Sequence, residues 1–152
     1  MNKNCKTILA SPEDDKHNEI AFLHGACHVF ALALNSHFNY EINVLTNQNN
    51  GLHVYCLFRE NLAVDVVGIV PVSRMLQVLG WAGQSQRVLR DRLPEYTGLC
   101  FEPLFLEKMG ERAENRIKKF LCYYMGDKGA LDIPGASRID PTPRNEIKGL
   151  FE

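Results

Sequence analysis

The feature that most constrains this fold is a pair of strand-like segments joined by a very short connection. The segments Leu52–Phe58 and Leu62–Ile69 are rich in β-branched, aromatic and other apolar residues, and two charged residues lie at the tip between them. A connection that short makes neighbouring strands run antiparallel. Tyr40–Leu45 predicts a further strand, which the Asn-rich turn of residues 47–51 separates from the pair. The centre of the chain therefore predicts a small antiparallel sheet.

Helical segments flank this predicted sheet on both sides. From Ala26 to Phe38, apolar side chains recur at helical spacing and would share one face. Further helices are predicted at Pro71–Gly80, at Gln84–Leu93, and from Pro103 to near Gly126, two of them with proline in the first turn. A helix, then a strand meander, then more helices is the order of an α+β domain.

The two ends of the chain carry weaker signals than its centre. Residues 1–17 are polar and contain an acidic run, which predicts an arm or a surface loop. Residues 127–152 contain several prolines and glycines, which predicts an extended tail. A length of 152 residues is usual for one domain, so we expect a single domain over 1–152.

The overall composition excludes several classes of function. The net charge is −1, so the chain has no general basic field to hold nucleic acid, and no nucleic-acid partner is expected. No apolar run reaches the length that spans a bilayer, so no membrane association is expected.

The cysteines bear on the redox environment. There are five, an odd number at wide spacing, whereas small secreted disulfide scaffolds are denser and usually even in cysteine count. This predicts reduced thiols. Met1–Asp15 contains no long apolar run and so no secretory signal peptide. We expect the chain in the cytoplasm, or delivered as an effector without a signal peptide.

Cys27 is the candidate nucleophile. It lies in the first turn of the predicted Ala26–Phe38 helix, where unpaired backbone N–H groups and the helix dipole favour the thiolate. The N–H of Cys27 is a natural oxyanion donor for the same reason. Gly25, just before it, would leave room for a substrate backbone.

His53 and Asp65 are the candidate base and orienting acid. If the strand connection has three residues, Leu57 pairs with Asn61 and His53 lies directly opposite Asp65. A carboxylate bonded to one imidazole nitrogen fixes the tautomer and leaves the other nitrogen for a thiol.

Each of these residues also has a purely structural interpretation. Asp65 interrupts an apolar run and needs either a partner or solvent, so it could instead face water on a one-sided sheet. Cys27 could fill the buried face of its helix, and His53 could be a hydrogen-bonded core histidine. Chain order and turn geometry together favour the triad.

The motifs around these three residues resemble a known superfamily. They are Gly25–Ala31 (GACHVFA), His53–Val54 and Asp65–Gly68 (DVVG). Their order is similar to that of the papain-like superfamily in its transglutaminase-like branch. It is also similar to that of small bacterial and phage proteins and papain-like toxin domains. The resemblance covers roughly Asn18–Ile69.

The resemblance implies a fold and a chemistry. The fold would pack a central helix carrying Cys27 on a small antiparallel sheet carrying His53 and Asp65, with additional C-terminal helices. The activity would be acyl transfer through a thioester on a peptide or glutamine amide, with a protein or peptide substrate and neither cofactor nor metal. Water as acceptor gives a peptidase or glutamine deamidase, and an amine gives a transglutaminase. The short chain favours a deamidase or a narrow-specificity peptidase. A non-catalytic protein-binding module on the same fold, with an ordinary thiol, is the alternative.

The chain departs from papain around the nucleophile. It has no Gln shortly upstream of Cys27 and no Trp directly after it, so the second oxyanion donor is not assigned. Asn18 and His24 are the candidates that chain order permits.

A zinc site is the rival interpretation of the same region. His24 and Cys27, and likewise His53 and Cys56, are spaced as zinc ligands often are. On a strand, however, a separation of three places side chains on opposite faces, which disfavours a four-ligand site. His28 and Cys56 are therefore expected to be packing or surface residues.

Overall fold

The computed structural model describes residues 3–49, 51–79 and 83–126, and within them it has the α+β architecture that the sequence predicts. The predicted tail of residues 127–152 lies outside these ranges. The helices are α1 (Lys3–Leu9), α2 (Asp15–Leu23), α3 (Cys27–Phe38), α4 (Val72–Leu79), α5 (Leu93–Thr97), α6 (Pro103–Lys119) and α7 (Leu121–Met125). The strands are β1 (Glu41–Thr46), β2 (Leu52–Arg59), β3 (Leu62–Asp65), β4 (Gly68–Pro71) and β5 (Gln84–Arg87).

The strands form one sheet in the order β4-β3-β2-β1-β5, and every neighbouring pair is antiparallel. Helix α3 packs on it, with Phe30 and Leu34 buried in the common core beside Val54 and Val64. Burying two such apolar faces against each other is the main source of stability for a domain of this size. No helix in the described part of the chain is long and apolar enough to cross a membrane.

The hairpin between β2 and β3 differs from the predicted one. Arg59 pairs with Leu62 around a two-residue tip in which Asn61 adopts a φ of 64°, a conformation that asparagine tolerates well. An irregularity follows between Leu57 and Arg59, and the register beyond it pairs Cys56 with Val64. The predicted register, with His53 directly opposite Asp65, is therefore wrong by two residues. Because side chains alternate along a strand, an even shift leaves both residues on the same face.

The predicted strand Leu62–Ile69 is in fact two strands. A tight turn follows Asp65, whose Oδ1 accepts a hydrogen bond from the N–H of Val67 (3.0 Å), and Gly68 supplies the positive φ of 105° at the return. The carboxylate thus stabilises the turn locally, which the apolar run around it did not signal.

The predicted N-terminal arm is wrong, since α1 and the start of α2 occupy most of it. Arg112 of α6 holds the connection between them, because its guanidinium donates to the carbonyls of Leu9 (3.3 Å) and Ser11 (3.1 Å). Cys5 of α1 is buried and forms a disulfide with Cys100. The prediction that all five thiols are reduced is therefore wrong for this pair, because the fold brings together cysteines that are 95 residues apart.

The predicted helix Gln84–Leu93 is also wrong. Gln84–Arg87 forms the edge strand β5 on β1, with Asn43 opposite Arg87, and a short 3₁₀ turn (Arg90–Arg92) follows. All four residues of β5 are exposed, so they carry no buried pattern that would reveal a strand. Pairing with the open edge of β1 decides their conformation.

Candidate active site

Cys27 is the first residue of α3, and its surroundings leave the start of the helix electrostatically positive. Ala26 occupies the N-cap position and makes no side-chain capping bond, so no side chain there neutralises the first-turn N–H groups. Gly25 adopts a φ of 117°, which few other residues accept. A Cβ at that position would lie 2.7 Å from the Cδ1 of Ile8. The space that Gly25 leaves is therefore taken by α1, and not by an open groove.

His53 and Asp65 are joined as predicted, although their strands are in a different register. The Nε2–H of His53 donates to the Oδ2 of Asp65 at 2.9 Å, and both side chains are buried (2% and 5% exposed). The second carboxylate oxygen of Asp65 is held by the N–H of Val67. Asp65 thus fixes the plane and tautomer of the imidazole, and Nδ1 is the ring nitrogen on the opposite side from the carboxylate.

The Cys27 thiol lies beside β2 at the point where β3 has ended. The last pair between these strands is Cys56 with Val64, and beyond it the N–H of Val54 donates to Cys27 Sγ (3.4 Å). A backbone N–H aimed at sulfur stabilises the thiolate more than the thiol, since the charged form is the stronger acceptor. The sequence alone did not point to this donor.

The charge states of the pair favour a reactive thiol. Burial by itself raises the pKa of Cys27, but hydrogen bonds with the side chains of His28 and His53 outweigh it and bring the pKa to about 6. Burial lowers the pKa of His53, whereas hydrogen bonds with Asp65 and Cys27 raise it to about 10. Between these values the pair is a thiolate beside an imidazolium, the reactive form of a cysteine nucleophile.

His28 is the residue that the sequence did not assign to the site. It is fully buried, and its Nε2–H donates to the carbonyl of Cys100 at 2.7 Å. The expectation of a packing or surface role is confirmed as packing, because the His28 ring lies against the rings of Phe101 and Phe105. His28 also lowers the pKa of Cys27, so it is a second imidazole, beside His53, that acts on the thiol. The only sequence signal was its position directly after the nucleophile.

The other sequence candidates lie elsewhere. The side-chain oxygen of Asn18 accepts from Arg112 (3.4 Å), and His24 is exposed at the end of α2. Cys56 points away from His53 and donates to the carbonyl of Ala31 in α3 (3.3 Å). In the described ranges, no group of three or more His, Cys, Asp or Glu side chains is placed to hold a metal ion.

The site therefore combines a thiol at a helix start with an imidazole and a carboxylate from two neighbouring strands, all buried in one cluster. Such an arrangement can form a thiolate, hold a proton on the adjacent ring and return it to a leaving group. No protein-family model, curated protein or solved structure matches this chain.

Proposed function

We propose that the chain is a thiol enzyme that transfers acyl groups from amide bonds, with Cys27 as nucleophile, His53 as acid and base, and Asp65 as the orienting carboxylate. The observation that carries the proposal is the buried hydrogen bond of His53 with Asp65 beside the Cys27 thiol, whose pKa His53 lowers; the three residues come from β2, β3 and the start of α3. It supports the papain-like or transglutaminase-like fold that the sequence resembles, in which a helix presents the thiol to a sheet that carries the other two groups.

The proposed reaction begins from the thiolate. Cys27 Sγ attacks the carbonyl carbon of a peptide or glutamine side-chain amide, and the negative charge moves to the carbonyl oxygen. In this proposal the backbone N–H groups at the start of α3, which no side chain caps, stabilise that oxyanion. His53 then gives its proton to the leaving nitrogen, and ammonia or an amine departs as the thioester forms.

The second half-reaction releases the acyl group. His53, now neutral, takes a proton from water or from an acceptor amine, which attacks the thioester and regenerates the thiolate and imidazolium. Asp65 keeps the ring in the orientation that serves both steps. Water yields a carboxylate, as in a deamidase or peptidase, and an amine yields a new amide, as in a transglutaminase.

The burial of the site favours a slender substrate group. Cys27 is only 4% exposed, and His53 is covered to a similar degree. A glutamine side chain or the end of an extended peptide reaches such a thiol more readily than the middle of a folded chain. We therefore favour a glutamine deamidase or a peptidase of narrow specificity, acting on a protein or peptide.

Three readouts on one set of glutamine-containing peptides test the proposal. Released ammonia reports deamidation, new amino termini report peptide cleavage, and incorporation of a fluorescent primary amine reports transglutamination. The wild type should give at least one product, whereas Cys27→Ala and His53→Ala should give none. Cys122→Ser is the matched control, because Cys122 is an exposed thiol remote from the triad in sequence.

Absence of all products, together with ordinary reactivity of Cys27 towards iodoacetamide, would contradict the proposal. That pair of results would favour the alternative of a non-catalytic binding module. Products that persist in Cys27→Ala would place the chemistry at another residue.

A further inference from the structure

The Cys27 thiol is covered in this structure, although the proposed reaction needs a substrate carbonyl to reach it. Its residue is only 4% exposed. On the side of Gly25, two residues before the thiol, the cover comes from α1. The Cδ1 of Ile8 fills the space beside Gly25, so that a Cβ on this glycine would lie 2.7 Å from it. A substrate that approaches the start of α3 from this side must therefore displace α1.

Two kinds of attachment hold α1 on the domain, one covalent and one by hydrogen bonds. The helix has seven residues, too few to be stable by itself in water, so its position depends on tertiary contacts. Cys5 is its buried residue and forms the disulfide with Cys100. Beyond it, Arg112 donates to the carbonyls of Leu9 (3.3 Å) and Ser11 (3.1 Å). Breaking the disulfide would therefore leave α1 held at its C-terminal end by Arg112.

The other end of the disulfide lies next to the proposed nucleophile. The carbonyl of Cys100 accepts a hydrogen bond from the Nε2–H of His28 (2.7 Å), and His28 directly follows Cys27. The disulfide thus joins the helix that contacts Gly25, on one side of Cys27, to a segment bonded to His28, on the other side. A covalent change at this bond is placed to alter access to the thiol.

We propose that the disulfide between Cys5 and Cys100 is a redox-modification site that controls substrate access to Cys27, and that a dithiol reductant opens it. The inference rests on the proposed function, because it describes how that same thiol is uncovered. With the bond intact, α1 stays over the start of α3 and the site is closed. With the bond reduced, α1 moves away about its contacts with Arg112 and admits a slender amide side chain.

The chemistry is thiol–disulfide exchange. Cys100 is partly exposed whereas Cys5 is buried, so one thiolate of the dithiol attacks the Cys100 sulfur. The bond between the two cysteines breaks, and Cys5 leaves as a thiolate that takes up a proton. The second thiol of the reductant then attacks the mixed disulfide and releases Cys100 as a thiol. Two electrons and two protons pass to the cysteines, the reductant leaves as a disulfide, and Cys27 takes no part.

The test compares iodoacetamide labelling of Cys27 in the full chain before and after reduction, measured by peptide mass mapping. Dithiothreitol is the reductant, and it is removed under nitrogen before labelling. We expect Cys27 to be labelled at least about tenfold faster after reduction, because the cross-link restrains the opening of the segment that it holds. Equal labelling rates in the two samples would overturn the inference.

Cys56 is the internal control for the integrity of the fold. It is a buried thiol at the contact between α3 and β2, and it should stay unlabelled in both samples. If Cys27 and Cys56 became labelled in parallel after reduction, the disulfide would hold the whole fold and the inference would be overturned.

A double variant separates the bond from the reductant. Cys5→Ser with Cys100→Ser cannot form the disulfide, so Cys27 should be labelled at the fast rate with or without dithiothreitol treatment. Cys122→Ser is the matched control, because it removes an exposed free thiol and leaves the disulfide in place, and it should behave as the wild type does. Slow labelling of Cys27 in the folded double variant would overturn the inference.

Amide hydrogen exchange identifies the segment that moves. The amides of α1 should exchange faster after reduction, while those of α3 and β2 keep their protection. Unchanged exchange in α1 would overturn the inference, because the cover would then be another part of the molecule.

Failure of this inference is distinguishable from failure of the proposed function. The peptide assay is run on the oxidised and on the reduced protein, and the reduced form should be faster. If both forms give amide products at the same rate, the control of access fails and the proposed function stands. If reduction exposes Cys27 to iodoacetamide but the reduced protein gives no product, the proposed acyl transfer fails and the redox-controlled cover stands.

Discussion

Cys27 and Cys56 are both buried thiols at the contact between α3 and β2, yet their chemistry is opposite. Cys27 begins α3 and accepts from the N–H of Val54 in β2. Cys56 lies within β2 and donates to the carbonyl of Ala31 in α3. The pKa of Cys27 falls to about 6, whereas that of Cys56 is raised well above its ordinary value.

Burial raises the pKa of both thiols, so the difference between their pKa values comes from the groups that each sulfur contacts. Cys27 meets backbone N–H groups and two imidazoles, which favour the anion. Cys56 meets a carbonyl oxygen, which accepts from the thiol form, and the negative charge of Asp65 raises its pKa further. The same carboxylate acts on Cys27 through His53, where it favours the thiolate. Donors at a helix start and acceptors within a helix thus separate a cysteine of lowered pKa from one of raised pKa.

The largest expected effect is a difference in turnover between variants of Cys27 and of Cys56. Cys27→Ala removes the proposed nucleophile and should lower turnover on an amide substrate by about 10⁴-fold or more. Cys56→Ala should cost about 1–2 kcal/mol of stability and leave turnover per folded molecule unchanged. Turnover and thermal unfolding measured on the same samples check this. Equal losses of turnover in both variants would contradict the prediction that only Cys27 takes part in the reaction.

The next effect tests whether Asp65 acts on Cys27 through His53. Asp65→Asn keeps an oxygen for the N–H of Val67 but turns an amide donor towards His53 Nε2, which favours the wrong tautomer. We expect turnover to fall about 10²–10⁴-fold with a modest change in melting temperature. A fall in activity that only follows the folded fraction would make Asp65 a structural residue of the β3–β4 turn.

The third prediction concerns pH. The Cys27 thiolate is lost as the pH falls through about 6, so labelling should be half-maximal there. Cys122 is exposed and serves as the accessible-thiol control, whereas the buried Cys56, whose pKa is raised, should stay unlabelled in the folded protein. Turnover should also fall as the pH rises through about 10, where His53 loses the proton that the proposed reaction gives to the leaving group. Peptide mass mapping after timed labelling resolves the three thiols, and a common midpoint would contradict the contrast.

The smallest effect should come from the polar contacts behind the site. Tyr124 donates to the carbonyl of Val66 (2.6 Å) in the turn after Asp65 and accepts from Arg116 Nε (3.0 Å). Tyr124→Phe leaves both partners unsatisfied, and we expect a loss of about 1–3 kcal/mol in the free energy of unfolding. Turnover should change less than tenfold, since the His53–Asp65 bond remains. Denaturant unfolding and the same peptide assay measure the two effects.

Part of this architecture was predictable because it depends on local patterns. The helix that begins at Cys27 follows from its apolar spacing and from Gly25 before it. The strands around His53 follow from their composition. The pairing of His53 with Asp65 was also predicted, but for a register that the protein does not adopt. The two side chains still meet because the bulge and the two-residue tip together shift the pairing by two residues. A shift of two residues leaves both side chains on the same face of the sheet.

Other elements could not be predicted because their partners are distant in sequence. β5 is polar and exposed, and only the open edge of β1 makes it a strand. α1 gives a weak helical signal, and its burial depends on Arg112 and on the disulfide to Cys100. The role of His28 depends on a carbonyl 72 residues away along the chain.

The sequence by itself determined the α+β order of elements and the identity of the three candidate residues, because periodicity and an isolated charge in an apolar run are local signals. The tertiary structure alone decided how acidic the Cys27 thiol is. That property depends on the burial of the sulfur, on the N–H of Val54 and on two imidazoles, one of them fixed by the Cys100 carbonyl. Proton affinity is set by the atoms within a few ångströms of a group, and these come from segments that only folding brings together.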